Sequence, residues 1–495
     1  MLPRLIQGGM GVGVSGWQLA REVALLGQLG VVSGTALDTI LIRRLGSGDP
    51  GGHMRRALAA FPDPQVSSRV LDRYLRVDPV GVADSLGAID ADADAGAGAD
   101  ASSPRYPLLP LPRARLTPDR EWLLILANFV EVYLAKESHH GVVGINFLHK
   151  IQFPILPSLY GALLAGVDVV LMGAGIPGDI PAVLDRLARH EPASITLDVL
   201  GAGDQRYDTS FDPGRLWEIE GPREVPAVHR PKFLAIVSSA TLARALVKKA
   251  PGGIDGFVVE APIAGGHNAP PRGVQQLSRD GEPIYGVRDD ADLGQMADLG
   301  LPFWLAGGYA SREKFRAALA TGAHGIQVGT VFAFCEESGL DPTLRHRFLA
   351  GVLRGETSVF TDPAASPTSF PFKVAALPGT LSEAAVYEER PRLCDLGYLR
   401  RAYRKPDGTV DYRCPAEPVD EYVRKGGKAE ETVGRKCLCN GLVANIGLGQ
   451  RRADGYEEPP LLTAGNDLAC LKPFISAGRL SYHARDVVES LVSHA

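Results

Sequence analysis

The sequence predicts an α/β fold, a TIM (β/α)8 barrel with inserted loops and a cysteine-containing C-terminal extension. Three observations carry this. Short apolar runs alternate with helix-like stretches over most of the chain, two of the later runs break into glycines at their ends, and 495 residues at 45% apolar content can bury a full barrel core. One barrel takes roughly 250 residues, which leaves about a hundred for an attached element.

Arg4–Gln7 is the first strand. Ser15 caps a helix whose buried side is marked by Trp17, Leu19, Ala20, Val23, Ala24 and Leu26, and Leu29–Ser33 follows as the second strand. Val142–Phe147, Val167–Met172, Phe233–Val237, Gly256–Glu260, Pro302–Ala306 and Gly325–Val328 bring the apolar runs to eight, enough to close a barrel. Ser194–Leu200 is a surplus candidate, assigned with Gly201–Pro231 to an excursion. Met54–Val77 reads as one or two helices, either a lid over the barrel mouth or plain packing. The Ala/Asp/Gly-rich insertion at about 84–118 has too few large apolar residues to pack and reads as a surface loop. The barrel domain is expected to run over 1–380. From Leu381 the βα rhythm stops, and 381–495 reads as an appended module separable from the chemistry.

A formal net charge of −5 with scattered Lys and Arg argues against nucleic acid or an anionic membrane as partner. Apolar runs long enough to span a bilayer are absent, and MLPRLIQGGMG reaches glycines too early for a secretory signal, so a cytoplasmic protein is expected. Association as a homodimer is compatible with this reading.

The chemistry concentrates at two strand ends. VVEAPIAGGHNAP finishes the sixth strand with Gly265, Gly266 and His267; LAGGYASREKFRAALATGAHGIQVGTVF carries Gly307, Gly308, Gln327, Gly329 and Thr330. Glycines at these points let backbone approach a ligand, and the loops after the seventh and eighth strands of such barrels offer N–H groups to a phosphate. A phosphorylated cofactor is therefore expected. His267 stands at a strand end, where its imidazole can take a carbon-bound proton or hydrogen-bond an anion. His324, at the start of the eighth strand, is read as packing.

Cys394, Cys414, Cys437 and Cys439 are the other concentration. Four soft ligands can form a tetrahedral zinc site or hold an iron–sulfur cluster, but only Cys437 and Cys439 are closely spaced, so reduced thiols or a redox disulfide stay open.

IQGGMGVGVS, GVVGINF, GVDVVLMGAGIP, the GGH segment and AGGY with GIQVGT occur in the order of the nitronate monooxygenase family, formerly 2-nitropropane dioxygenases, which the chain resembles over roughly Leu5 to Phe334. The resemblance implies an FMN-dependent barrel oxidoreductase, a monooxygenase that oxidises alkyl nitronates or related carbanion-like small molecules with O2. By motif position it implies Gly9 and Met10 along the flavin ring, Asn146 at its polar edge, and Gly307, Gly308, Gln327, Gly329 and Thr330 at the phosphate. It also implies Gly265 and Gly266 beside the cofactor and His267 as the catalytic residue. Asn268–Gly273, with two prolines, departs from the family pattern and reshapes the substrate side. Two alternatives stay open: an NAD(P)H-dependent FMN enoyl-thioester reductase, and a non-catalytic FMN-bearing partner of a larger assembly.

Overall fold

The computed structural model describes residues 2–76, 106–219 and 225–492. Eight parallel strands form the sheet: β1 (Leu5–Gln7), β2 (Gly30–Ser33), β3 (Val143–Leu148), β4 (Val169–Gly173), β5 (Lys232–Val237), β6 (Gly256–Glu260), β7 (Phe303–Ala306) and β8 (Gly325–Val328). Their order is β1-β8-β7-β6-β5-β4-β3-β2, and a bridge between Ile6 and Leu29 with Gln7 N–H donating to Leu29 O at 2.9 Å brings the two edges together. The eight runs singled out in the sequence are these eight strands.

Strand alternation sorts the apolar side chains into two cores. Ile6, Val31, Val169, Leu171, Leu234, Val258 and Trp304 pack together as a small separate cluster, the barrel's interior. Their neighbours along the strands, such as Leu5, Val32, Val170, Phe233, Phe257 and Phe303, belong to the large cluster shared with the surrounding helices. The long helix Pro118–Lys136 starts well, with Pro118 in its first turn and the Thr117 hydroxyl accepting from Arg120 N–H. It lies so close to Ile155–Leu164 that a Cβ on Gly161 would fall 2.2 Å from Ile125 O.

The excursion is confirmed as outside the barrel. Ala193–Thr196 pairs antiparallel with Asp208–Phe211, while Val199–Leu200 pairs with Arg401–Arg404 from the C-terminal region. His53–Ala59 and Pro64–Tyr74 are helices that bury Met54, Leu58, Val66 and Val70 in the main core and do not line the cavity described below, which is plain packing. Most of the expected insertion, residues 84–105, lies outside the described residues. Among the described residues no helix is long and apolar enough to cross a membrane.

The C-terminal region is woven into the barrel, so the expectation that it is separable from the chemistry is corrected. Leu381, Leu399, Leu438, Leu461 and Leu462 share the main core. Buried charges tie it down: Arg43 pairs with Asp395 at 3.1 Å, Asp38 pairs with Arg120 and accepts from the Tyr398 hydroxyl, and Arg390 meets Glu458 with two contacts of 2.6 and 3.0 Å. The physical reason is that a charge-rich segment can still be core when its charges neutralise one another in pairs.

Candidate functional site

At the C-terminal ends of the strands lies a cavity of about 510 Å3. Gly9, Met10, Asn146, Gly265, Gly266, His267, Gly307, Gly308, Gln327, Gly329 and Thr330 all line it. Residues that the sequence supplies at the ends of five separate strands and just after them are thus brought to one place.

The loop after β1 is fixed from below. Buried Gln7 accepts from Val31 N–H at 2.9 Å and donates to Ser15 Oγ at 2.8 Å, and Ser15 Oγ accepts from Met10 N–H at 2.8 Å. Gly9 leaves room for Asn146, since a Cβ there would fall 2.2 Å from Asn146 Oδ1 and push that side chain aside. Asn146 Nδ2 donates to Gly9 O at 2.8 Å, while its buried Oδ1 has no partner. An unpaired buried acceptor on a cavity wall is costly and marks a place for a ligand N–H. Gly307 and Gly308 both sit at positive φ, +89° and +76°, where other residues are strained.

His267 is held on its outer side. Its Nε2 lies 2.7 Å from the Ser366 hydroxyl, its ring stands edge-on to Phe372 at 4.9 Å, and Asn268 N–H donates to Pro371 O at 2.9 Å. Burial, with the nearby Lys150 ammonium, holds the imidazole well below its ordinary pKa, so the ring is uncharged at neutral pH. Two more titrating groups stand close: burial brings Lys150 down to about 7, and burial raises Glu260, at the end of β6, to about 7. Lys150 is not a solvated lysine, since its Nζ lies 3.6 Å from the centre of the Phe370 ring. His324 donates to or accepts from nothing in the cavity; its Nε2 lies 2.8 Å from Leu2 O and its ring packs on Trp304.

The opposite wall went unrecognised in the sequence. Thr463, Ala464 and Gly465 line the cavity, with Thr463 Oγ1 accepting from Gly266 N–H at 2.9 Å and Thr330 Oγ1 accepting from Gly465 N–H at 3.0 Å. Gly465 has the same signature as the predicted glycines: a Cβ there would meet Ile263 O at 2.9 Å. The only signal was the TAGND glycine after an apolar pair, too weak without a strand before it.

The four late cysteines do converge. Cys414 and Cys437 are buried in one small cluster with Ala416, Cys439 packs on it, and Cys394 is within charge range of the other three. All are free thiols, and burial pushes Cys437 up to about 12. Among the described residues no group of three or more His, Cys, Asp or Glu is arranged to hold a metal ion, so the expected zinc or iron–sulfur site finds no support here.

Residues 222–356 match the family model described as nitronate monooxygenase. The chain is 35% identical over 115 residues to a probable nitronate monooxygenase of Bacillus subtilis, covering 23% of this chain and 31% of that one. It is 28% identical over 172 residues to a nitronate monooxygenase of Pseudomonas aeruginosa, covering 33% and 40%. It is also 28% identical over 223 residues to a hydroxy-methyl-oxo-octahydroindene-carboxyl-CoA dehydrogenase of Mycobacterium tuberculosis, covering 41% and 59%. The matches thus span between 31% and 59% of these relatives' lengths. Among solved structures, FabK of Thermotoga maritima aligns at 14% identity and a TM-score of 0.45, over 99% of this chain and 91% of that one. A nitroalkane oxidase of Streptomyces ansochromogenes aligns at 16% and 0.46, over 99% and 95%.

Proposed function

We propose, from the premise that this chain is related to the nitronate monooxygenase family, that it is an FMN-dependent oxidoreductase oxidising an alkyl nitronate or a related carbanion-like substrate with O2. The observation that carries this reading is the convergence of the eleven residues from the ends of five strands and the loops after them on one cavity, with Asn146 Oδ1 buried there and unpartnered. An acceptor of this kind fits the ring N–H of a flavin. Gly307, Gly308, Gly329 and Thr330 fit its phosphate end, and the Thr330 hydroxyl, already accepting from Gly465, keeps its O–H to donate.

FMN, when bound, supplies the electron transfer. The chain's own residues orient the substrate and handle its proton. His267, uncharged, either takes a carbon-bound proton at a free ring nitrogen or donates a hydrogen bond to a substrate oxygen. The loop Asn268–Gly273 and apolar side chains such as Ile236, Leu242 and Phe370 enclose the substrate side.

The test is chromatography of the chromophore released from the purified protein by heat, which should be FMN and not FAD. A colourless protein that cannot be reconstituted with FMN would overturn the reading. A second reading, an FMN reductase acting on enoyl thioesters with NAD(P)H, is favoured by the relatives whose names give a carboxyl-CoA compound. Anaerobic mixing with NADH, NADPH or a nitronate separates the two, because the true electron donor bleaches the flavin.

A further inference from the structure

A chain of side-chain hydrogen bonds leads from His267 away from the cavity. His267 Nε2 lies 2.7 Å from Ser366 Oγ, Ser366 Oγ lies 2.8 Å from Thr368 Oγ1, and Lys150 Nζ donates to Thr368 Oγ1 at 3.4 Å. Ser366 Oγ also accepts from the backbone N–H of Thr368 at 3.2 Å. The imidazole Nδ1 has no protein partner among the described residues. Three separate stretches meet here: Lys150 follows β3, His267 follows β6, and Ser366 and Thr368 lie on a turn held by Arg435, which donates to Ala364 O and Ser366 O.

We propose that the charge of Lys150 sets the direction of this chain and thereby decides which ring nitrogen of His267 carries its proton. An ammonium can only donate. While Lys150 is charged, Thr368 Oγ1 accepts from it, which leaves the Thr368 O–H to donate to Ser366. Ser366 Oγ then has both acceptor positions filled, by the Thr368 hydroxyl and the Thr368 N–H, and its own O–H must donate to His267 Nε2. The imidazole in this state bears its proton on Nδ1 and offers the cavity an N–H donor. When Lys150 is neutral the chain runs the other way. The step balances as a relay: Nζ gives a proton to Thr368 Oγ1, Thr368 gives its own to Ser366, Ser366 gives its own to Nε2, and Nδ1 releases one to the cavity. Four X–H bonds break, three form within the chain, and one proton leaves. His267 then offers the cavity a bare nitrogen.

Lys150 is therefore a positioning residue, and it turns His267 from a hydrogen-bond donor into a base. Burial brings Lys150 to about 7, which puts the reversal near neutral pH. The charged groups around the chain include Glu260, which itself titrates near 7, Arg435 on the turn, Asp362, whose carboxylate accepts from Ala364 and Ala365 N–H, Lys436, whose backbone N–H donates to Ala365 O, and Lys373, whose backbone N–H donates to Gly266 O; burial lowers both lysines, Lys373 to about 8. Glu260 and Lys150 thus titrate as a pair. The consequence for turnover rests on the reading of His267 given above; the hydrogen-bond chain does not.

The test is the 15N spectrum of the full-length protein labelled on histidine, with the His267 signals assigned by their loss in His267→Asn. Nδ1 should be the protonated nitrogen at about pH 6, and Nε2 at about pH 9. Lys150→Arg, always charged, should keep the low-pH tautomer throughout. Thr368→Val, which cuts the chain but leaves Lys150, should abolish the switch, as should Lys150→Met. Glu260→Gln should move the midpoint to lower pH, since that carboxylate favours the charged lysine. One tautomer at both pH values in the unaltered protein, or a switch that survives Thr368→Val, overturns the proposal. Because the readout needs no turnover, a protein that switches but neither binds FMN nor oxidises a nitronate would defeat the functional reading and leave this one standing.

Discussion

One wall of the cavity is made of strand ends and the loops directly after them; the other is made of Phe370, Phe372, Tyr398, Leu399 and residues between Leu438 and Cys470, brought from far along the chain. The first wall is specified locally. Gly307 and Gly308 directly follow β7 and are glycine because of their own positive φ. The second wall depends on buried ion pairs with partners far away in sequence, Arg390 with Glu458 and Arg43 with Asp395. A wall of the first kind survives changes elsewhere, whereas one of the second kind stands or falls with its anchors.

The hardest way to break that contrast is at Arg390. Its guanidinium and the Glu458 carboxylate are almost wholly buried, and Glu458 is otherwise met by Gln450 and the Tyr456 hydroxyl. Arg390→Met leaves a buried carboxylate short of its cation, and stability should drop by about 3–5 kcal/mol in urea unfolding. Adding Glu458→Leu should restore most of it, since an apolar pair of similar volume is often no worse than a buried ion pair. A loss below about 1 kcal/mol would mean that packing of Leu438, Leu461 and Leu462, and not charge, holds this wall.

The next effect is on the first wall. His267→Asn should lower turnover by about two orders of magnitude, the size of a general acid–base contribution, while the flavin absorbance is retained. Equal turnover would take the imidazole out of the chemistry, and loss of the flavin would make it a structural pin.

This contrast also explains what could be read in advance. All eight strands were legible because each is a short apolar run next to a helix, a pattern that barrel closure does not alter. The glycines after β6 and β7 stood out because glycine at a strand end has few other causes, whereas Gly9, Met10 and Asn146 were pointed to only by the resemblance; all of them line the cavity. Thr463–Gly465 and Ser366 were not legible, since their role arises from contacts across 135 and 99 positions with Thr330 and His267. The contacts of Lys150 with Phe370 and Thr368 were not legible, because neither residue is near it in sequence. The C-terminal region was taken for an appendage because its charges and prolines hide the leucines that enter the main core.

A smaller effect sharpens the electrostatics between the walls. Burial raises Glu260 from 4.5 to about 7, so between those values the folded protein holds a proton that the unfolded chain has released. Stability from this group is full below about pH 4.5 and is lost as pH rises through 7. Glu260→Gln removes that term, so the fall in stability between about pH 4.5 and 7, followed by urea melts, should be shallower in the variant. An identical slope in both proteins would show that the carboxyl is not desolvated. The window must stop at 7, because Lys150, lowered to about 7 from 10.5, makes stability rise with pH beyond it.

The smallest expected effect lies at the cysteines, where the outcome should be none. Burial holds the thiols of Cys394, Cys414, Cys437 and Cys439 above their usual pKa, so they stay protonated near neutral pH, and the thiol is a far poorer nucleophile than the thiolate. Iodoacetamide at about pH 8 should therefore leave all four unmodified in the folded protein and modify all four in denaturant, as read by mass spectrometry of the peptides. A bound metal would protect them as well, so protection alone does not separate the two cases. A chelator does: the thiols should stay unreactive after treatment, and elemental analysis should find neither zinc nor iron in stoichiometric amount. If chelation instead exposes the four thiols and releases one metal per chain, the second wall has an inorganic anchor beside its ion pairs, and the difference between the walls is larger than side-chain charge alone makes it.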